Sequence, residues 1–321
     1  SRRFVINHFP TSLFPAASLM LKQSLWALAA ALFFSMMAAC VKLTNGELTT
    51  LEMVFYRSLF GVITIGLFVK RNHLSLKTPH LMGNITRSIL GTLSISVWFF
   101  TLGQLPFGTN MTLVYTTPLF MSVNFIILAL LRHQRAPWGL AAAIIAGFSG
   151  ITIILQPSFS SDQLWPALLT LSVALLDLAI YWQMKELGRL QEPSWRIVFY
   201  FTCFGTCFGL IGAYLLEDGL HMPSPEAALA MGAFATLGQI ATTRSYAYGN
   251  MLLSSCLGFS AIPFAAIISW LLFDEPSTLM SICGMLLITT AGIGATIITK
   301  RAEARGIAPV EGKVAAEGSK E

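Results

Sequence analysis

The chain has 321 residues, of which 55% are hydrophobic and 11% charged, with a mean hydropathy of +0.69 and a net charge of +5. A soluble domain carries about 25% charged residues, so this chain lacks the charge to cover a water-facing surface and its solvent is lipid. Its basic residues sit in short connections rather than on one face, which excludes a nucleic-acid surface.

Residues 1–22 form a mixed N-terminal segment without a long apolar run or a signal-cleavage pattern. The first residue is Ser, and Met20 is read as the natural start of the chain. Ten apolar runs follow, at 23–42, 50–69, 81–103, 109–131, 138–156, 165–184, 196–216, 227–248, 251–273 and 278–299. About 20 apolar residues span a bilayer as a helix. The runs do not alternate in polarity as barrel strands do, so the expected fold is an all-α integral membrane protein with ten transmembrane helices. A linker at 157–164 separates the halves, and residues 300–321, rich in Ala, Gly, Glu and Lys, read as a disordered tail.

The connections are lopsided in charge. Lys70, Arg71 and Lys77 follow the second run, Arg132 and Arg135 the fourth, Lys185, Arg189 and Arg196 the sixth, and Lys300, Arg301 and Arg305 the tenth. The odd connections carry Glu47, Asp162, Glu217, Asp218, Asp274 and Glu275 instead. Of 20 basic residues, 16 lie in the N-terminal segment, the even connections or the tail, which predicts that both termini face the cytoplasm.

The two halves share a plan. Val54-Phe-Tyr-Arg-Ser-Leu-Phe-Gly61 returns as Val198-Phe-Tyr-Phe-Thr-Cys-Phe-Gly205, with five of eight positions identical, and Pro118, Gly139 and Gly147 match Pro263, Gly284 and Gly292. The copies lie on the second and seventh runs, an offset of five, so the halves 23–156 and 165–299 are expected as inverted five-helix repeats, a plan common among secondary transporters.

These marks resemble the ten-span bacterial drug/metabolite transporters whose halves are each an EamA domain. The resemblance covers about 23–299 and rests on Glu52-Met-Val-Phe-Tyr-Arg57-Ser, Arg87-Ser-Ile-Leu-Gly91, Tyr115-Thr-Thr-Pro118, Thr243-Arg-Ser-Tyr-Ala-Tyr-Gly249, Phe259-Ser-Ala-Ile-Pro263 and Trp270-Leu-Leu-Phe-Asp-Glu275. That family usually closes its fourth span with a Glu that matches Glu275; here the segment reads Leu131-Arg132-His133-Gln134 and has no acid. The resemblance implies a central cavity, alternating access and a place in the bacterial inner membrane. It leaves open amino acids, nucleoside-like compounds, vitamins and other metabolites.

Ionisable groups inside spans are costly and mark functional candidates. Four stand out: Arg57, Arg87, Asp177 and Arg244. Arg87 and Arg244 have long stems that reach headgroups, so snorkelling competes with a cavity role. For Arg57 the competing reading is a packing lock that caps a carbonyl or pairs with Glu52 or Glu47. Asp177, with Tyr181 one turn on, cannot snorkel and is expected to pair with Arg87 or Arg244, in substrate contact and proton coupling or as a structural ion pair. Three Arg against one Asp make a positive interior, which favours a carboxylate on the substrate. Trp98, Tyr115, Asn124, Gln239 and Tyr246 are further candidate contacts, each with an ordinary packing alternative. Pro118 and Pro263 sit at matched positions where a kink would form a gate. Gly139, Gly147, Gly150, Gly284, Gly292 and Gly294 suit close helix packing or a homodimer contact. Cys203 and Cys207 share a face but have no further metal ligands nearby, so small-residue packing is the reading there.

An enzyme is disfavoured. His8, His73, His80, His133 and His221 all lie outside the spans, and no metalloprotease or phosphate-loop motif is present. The expectation is a secondary transporter of an amino-acid-like or other anionic small molecule, without cofactors, with the bilayer and protons as further partners. A riboflavin-like or nucleoside-like substrate is the alternative, followed by a non-transporting membrane subunit or a lipid scramblase.

Overall fold

A computed structural model describes residues 22–131, 138–155, 161–217, 219–222, 224–275 and 278–304. Twelve helices occur among them: α1 Trp26–Leu43, α2 Thr50–Arg71, α3 Leu81–Leu102, α4 Phe107–Val114, α5 Thr117–Leu131, α6 Trp138–Leu155, α7 Ser161–Arg189, α8 Ser194–Leu216, α9 Pro225–Tyr248, α10 Met251–Gly258, α11 Ala261–Phe273 and α12 Leu279–Ala304. The described residues contain no β-strand beyond a single bridge between Asn45 and Leu48.

Seven stretches among the described residues are long and apolar enough to cross a membrane: Lys22–Leu43, Thr50–Arg71, Leu81–Leu102, Gln163–Arg189, Ser194–Leu216, Leu253–Phe273 and Leu279–Ile298. The difference from the ten expected runs has physical causes. The fourth run is split into α4 and α5, each shorter than the ~20 residues a crossing needs. In the fifth, the apolar helix among the described residues is Gly139–Ile153. The eighth, α9, carries Glu226, Gln239, Arg244 and three threonines, which lower its hydropathy. The twelfth helix runs past the expected end at 299 to Ala304, while Arg132, Arg135, residues 1–21 and the tail from 305 lie outside the described residues.

Local chemistry sets the ends of these helices. Thr49 caps α2 by accepting from the Glu52 amide, while Glu52 Oε2 accepts from the Thr49 amide at 2.7 Å, a reciprocal capping box. Asn250 Oδ1 accepts from the Leu253 amide at 2.8 Å and starts α10. The α4–α5 break is also chemical. Proline has no amide hydrogen, so Pro118 leaves the Val114 carbonyl without its helical donor. The Thr117 hydroxyl donates to that carbonyl at 3.2 Å, and the Thr116 hydroxyl donates to Leu113 O at 2.7 Å. The matched break in the second half falls at Phe259–Ser260, between α10 and α11.

The bundle is seamed by close antiparallel helix pairs. Along α2 and α8 the contacts Leu51–Gly212, Phe55–Gly209, Ser58–Gly205 and Gly61–Thr202 ascend one helix as they descend the other. Gly139–Ile298 and Gly150–Ile288 do the same for α6 and α12. Gln23–Arg244 and Phe34–Gly238 relate α1 to α9, and Gly83–Leu187 and Ser94–Asp177 relate α3 to α7. The α2–α8 contacts are reciprocal: shifting Gly61 and Ser58 by 144 residues gives Gly205 and Thr202, and each small residue receives the other copy's hydroxyl side chain. Met37, Val54, Trp98, Phe99, Phe107 and Met231 form the largest core between these seams. Large apolar side chains such as Leu67, Ile145, Leu216 and Leu279 remain exposed on the outside, as a lipid solvent permits.

Glycine substitutions separate the tight seams from the open faces. A Cβ on Gly209 would lie 2.7 Å from the Phe55 amide nitrogen, a backbone that cannot swing away, whereas one on Gly294 meets nothing within 4 Å. Gly209→Ala is expected to destabilise the protein by about 1–3 kcal/mol, and Gly294→Ala to stabilise it by roughly 0.5–1 kcal/mol. Thermal unfolding of the two variants in detergent checks both signs.

Candidate functional site

A cavity of about 70 Å³ lies at the centre of the bundle, lined by α1, α3, α7, α8, α9 and the α4–α5 break. Six of the residues singled out from sequence border it: Arg87, Trp98, Tyr115, Asp177, Tyr181 and Gln239. Tyr246 stacks on Tyr181 with ring centroids 3.8 Å apart and planes 11° from parallel. These two rings, with Tyr115, also border a smaller adjoining space of about 30 Å³.

Arg87 is 2% exposed, and its guanidinium carbon lies 4.6 Å from the centre of the Phe201 ring. Its Nε and Nη1 are buried without a hydrogen-bond partner. The side chain folds back along its own helix onto Gly91, where a Cβ would sit 2.0 Å from Arg87 Nη1. Phe201 Cε2 would lie 2.9 Å from the same Cβ, so a larger residue at 91 has to displace the guanidinium tip and the ring edge. Arg57 lies behind the cavity wall, 1% exposed, its guanidinium 5.3 Å from the Phe201 ring and 5.9 Å from that of Phe99. Its Nε and Nη1 are also unpartnered. Phe201 thus contacts two buried cations, and cation–π attraction offsets part of their desolvation.

Asp177 faces the same cavity, and its Oδ1 accepts a hydrogen bond from the Ser94 hydroxyl at 2.9 Å. The expected ion pair is absent: among the described residues no salt bridge joins Asp177 to Arg87 or Arg244. Arg244 lies elsewhere because its Nε donates to Gln23 Oε1 at 2.8 Å and its guanidinium stacks 5.0 Å over Trp26, both at the start of the first span. Arg57 pairs with neither Glu52 nor Glu47. Glu52 is taken by its own helix cap and by His221, whose Nδ1 lies 3.0 Å from Oε1.

The remaining candidates are placed as follows. Asn124 lies on α5 without bordering the cavity. Pro118 is buried as the second residue of α5, while Pro263 is exposed as the third residue of α11, so the two prolines do not face one space. What the halves share there is the helix break itself. Cys207 is exposed and Cys203 half-buried.

Two polar groups beside the cavity escape a reading of the sequence. Ser94, which holds Asp177, is an ordinary serine in an apolar run. Asn110, fully buried, accepts from Trp98 Nε1 at 2.9 Å and donates to Thr101 Oγ1 at 3.0 Å and Thr170 Oγ1 at 3.4 Å, tying α3, α4 and α7 together. An amide inside an apolar span was the available signal.

Residues 21–156 match the EamA-like transporter family. The chain is 26% identical over 274 residues to the pseudopaline exporter CntI of Pseudomonas aeruginosa, covering 84% of this chain and 94% of that protein. It is also 26% identical over 277 residues to a riboflavin transporter of Rhizobium johnstonii, covering 84% and 89%. A crystal structure matches with a TM-score of 0.66 at 16% identity, over 88% of this chain and 99% of that one, which establishes a common fold.

Asn110→Ala leaves the buried Trp98 Nε1–H and two threonine hydroxyls without this partner. A buried donor stripped of its acceptor costs about 1–3 kcal/mol. The expected outcome is a thermal midpoint lowered accordingly, with a changed tryptophan emission from Trp98 in the folded protein.

Proposed function

We propose that this chain, a member of the drug/metabolite transporter superfamily with an EamA-like first half, is a secondary transporter of a small carboxylate-bearing metabolite across the bacterial inner membrane. Its relatives are transporters rather than enzymes. The observation that carries the reading is one cavity bordered by a buried guanidinium with unused donors, Arg87, and by the carboxylate of Asp177. A carboxylate on the substrate supplies the acceptors that Arg87 lacks. Asp177, which among the described residues accepts a side-chain hydrogen bond from Ser94 alone, complements an ammonium group or accepts a proton. An amino-acid-like molecule presents both groups. Export of pseudopaline and transport of riboflavin, the functions named for two relatives, agree with an organic solute of this kind. The Tyr181–Tyr246 stack favours a second reading, a planar ring of the riboflavin type.

The mechanism is alternating access between inverted halves, 23–156 and 165–299, that cross the membrane ten times with both termini in the cytoplasm. The antiparallel α2–α8 and α6–α12 seams, the reciprocal contacts and the matched helix breaks support it. A cavity of about 70 Å³ is too small for a metabolite, since ligand sites run to roughly 300–1,000 Å³. The site is contracted, and a substrate enters only when one side opens.

Two latches hold the sides. On the side assigned as external, Lys42 Nζ donates to Leu105 O at 3.2 Å and to Glu275 Oε1 at 2.6 Å. Glu275 Oε2 accepts from the Phe107 amide at 2.8 Å and from Ser269 Oγ at 3.2 Å. On the opposite side Lys185 Nζ donates to Gly249 O at 2.7 Å. Lys185 stands 143 residues after Lys42, and Gly249 stands 144 after Leu105, so the lysine-to-carbonyl contacts are repeat-related. The carboxylate is not repeated, because the residues matching Glu275 lie near Leu131, where the sequence has no acid. Both lysine-to-carbonyl bonds are charge-assisted, and the external latch adds an ion pair and two further bonds to Glu275. On that count we read the external latch as the firmer, with the inner side the first to open.

Flux into proteoliposomes tests the reading, with labelled amino acids, amino-acid-derived carboxylates and riboflavin as probes. Arg87→Met is expected to lower uptake of the carboxylated substrate about ten- to a hundredfold, the worth of one charge-assisted hydrogen bond. Uptake indifferent to Arg87 sinks the substrate class. Asp177→Asn is expected to abolish the pH dependence of flux; a variant that keeps wild-type flux and pH profile removes Asp177 from coupling.

The latch has its own test. In a background with the native cysteines replaced, Ser94→Cys reports access to the cavity. Glu275→Gln is expected to speed its labelling by an impermeant maleimide from the outside, and Lys185→Met from the inside.

A further inference from the structure

We propose a second binding site, for one anionic phospholipid, in the lateral groove between α2, α8 and α9. It is separate from the central cavity and does not depend on the transport reading. The groove encloses about 530 Å³, and Phe60, Phe68, Trp195, Ala233 and Leu237 make most of its wall apolar. Arg244 stands at one end. From Ala233 to Arg244 the wall runs eleven residues of α9, or ~16 Å at 1.5 Å per residue. One leaflet of a ~30 Å hydrocarbon core is ~15 Å deep. The groove therefore has the length of one acyl chain layer, with a cation where the headgroup lies.

The charge at that end fits an anion. Gln23 and Trp26 hold Arg244 by its Nε and its face, and among the described residues nothing hydrogen-bonds its two terminal nitrogens. Lys70 and Arg71 close α2 just beyond Phe68. Arg196 lies on the Trp195 ring, 5.2 Å from its centre. The carboxylate there, Glu192, is already held by Arg196 at 3.1 Å and by Thr78. A headgroup with net negative charge gains from this cluster, whereas a zwitterionic one does not.

The test uses the full-length protein purified in detergent, with phosphatidylglycerol, phosphatidylcholine and glycerol 3-phosphate as probes. Native mass spectrometry counts retained lipids, and thermal unfolding reads stabilisation. The expected result is one phosphatidylglycerol retained and a raised unfolding midpoint, with no such effect from phosphatidylcholine or from the chain-free phosphate. Arg244→Gln is expected to weaken retention by about fivefold or more, and Ala233→Phe, which leaves the arginine and fills the chain end, to do the same. Equal retention of both lipids, equal stabilisation by glycerol 3-phosphate, or wild-type retention in Arg244→Gln overturns the site. Loss in Arg244→Gln without loss in Ala233→Phe reduces it to a headgroup contact and overturns the groove. If Arg244→Gln does not fold, Ala233→Phe decides alone.

Discussion

Burying two guanidinium groups in the middle of an apolar bundle is the constraint around which this site is arranged. Arg57 and Arg87 are 1% and 2% exposed, and each unpaired buried ion costs several kcal/mol after relaxation. The surroundings answer only part of that cost. Phe201 offers its ring to both guanidiniums and Phe99 offers a second ring to Arg57, at distances where cation–π attraction operates. Asp177 shares the cavity with Arg87 but accepts its hydrogen bond from Ser94. Donors on both arginines remain unused. The cavity itself holds one guanidinium and one carboxylate, so the spare donors of Arg87, rather than a net charge, are what call for a further acceptor there.

The same constraint explains why the repeat is broken where it is. Arg57 and Phe201 are repeat mates, and they meet across the seam between α2 and α8. At a seam between repeat-related antiparallel helices, a residue near the centre faces its own copy. Two arginines there would repel in a low-dielectric interior, while an arginine against a phenylalanine attracts. Around this pair the small residues stay reciprocal, Gly61 against Thr202 and Ser58 against Gly205. The packing keeps the copied pattern, and the charges do not. Lys42 and Lys185 repeat as carbonyl-binding lysines, whereas Glu275 stands on one side only.

What could be read from the sequence follows from how each signal is encoded. A charge inside an apolar run is visible without a structure, so Arg57, Arg87, Asp177 and Arg244 stood out. Where such a charge points is not visible: Arg244 turns to Gln23 and Trp26, more than 200 residues away in sequence, and no local pattern reports that contact. The helix breaks were legible only as prolines. The α4–α5 break lies just before Pro118 because neighbouring threonine hydroxyls take the freed carbonyls. Ser94 and Asn110 carry no such charge signal, and serines in apolar helices usually bond their own backbone, as Ser88 Oγ does to Asn84 O and Ser96 Oγ to Thr92 O. Membrane class and helical content depend on composition and survive such local errors. The partners of individual polar groups depend on long-range packing and do not.

The lateral groove and the central cavity share two elements, α8 and α9. Gln239 and Thr242 turn toward the cavity, while Ala233, Thr236, Leu237 and Ile240 turn toward the groove. On α2, Phe60 lines the groove and packs against Gly232 of α9, and Arg57 sits less than one turn away beside Phe201. Because close-packed interiors transmit displacement rather than absorb it, a ligand that spreads α2 from α9 also moves the walls of the cavity. A cavity of about 70 Å³ can admit a metabolite only if such walls move. A lipid in the groove and a solute in the cavity would therefore press on the same helix from opposite faces, and the occupancy of one would bear on the volume open to the other.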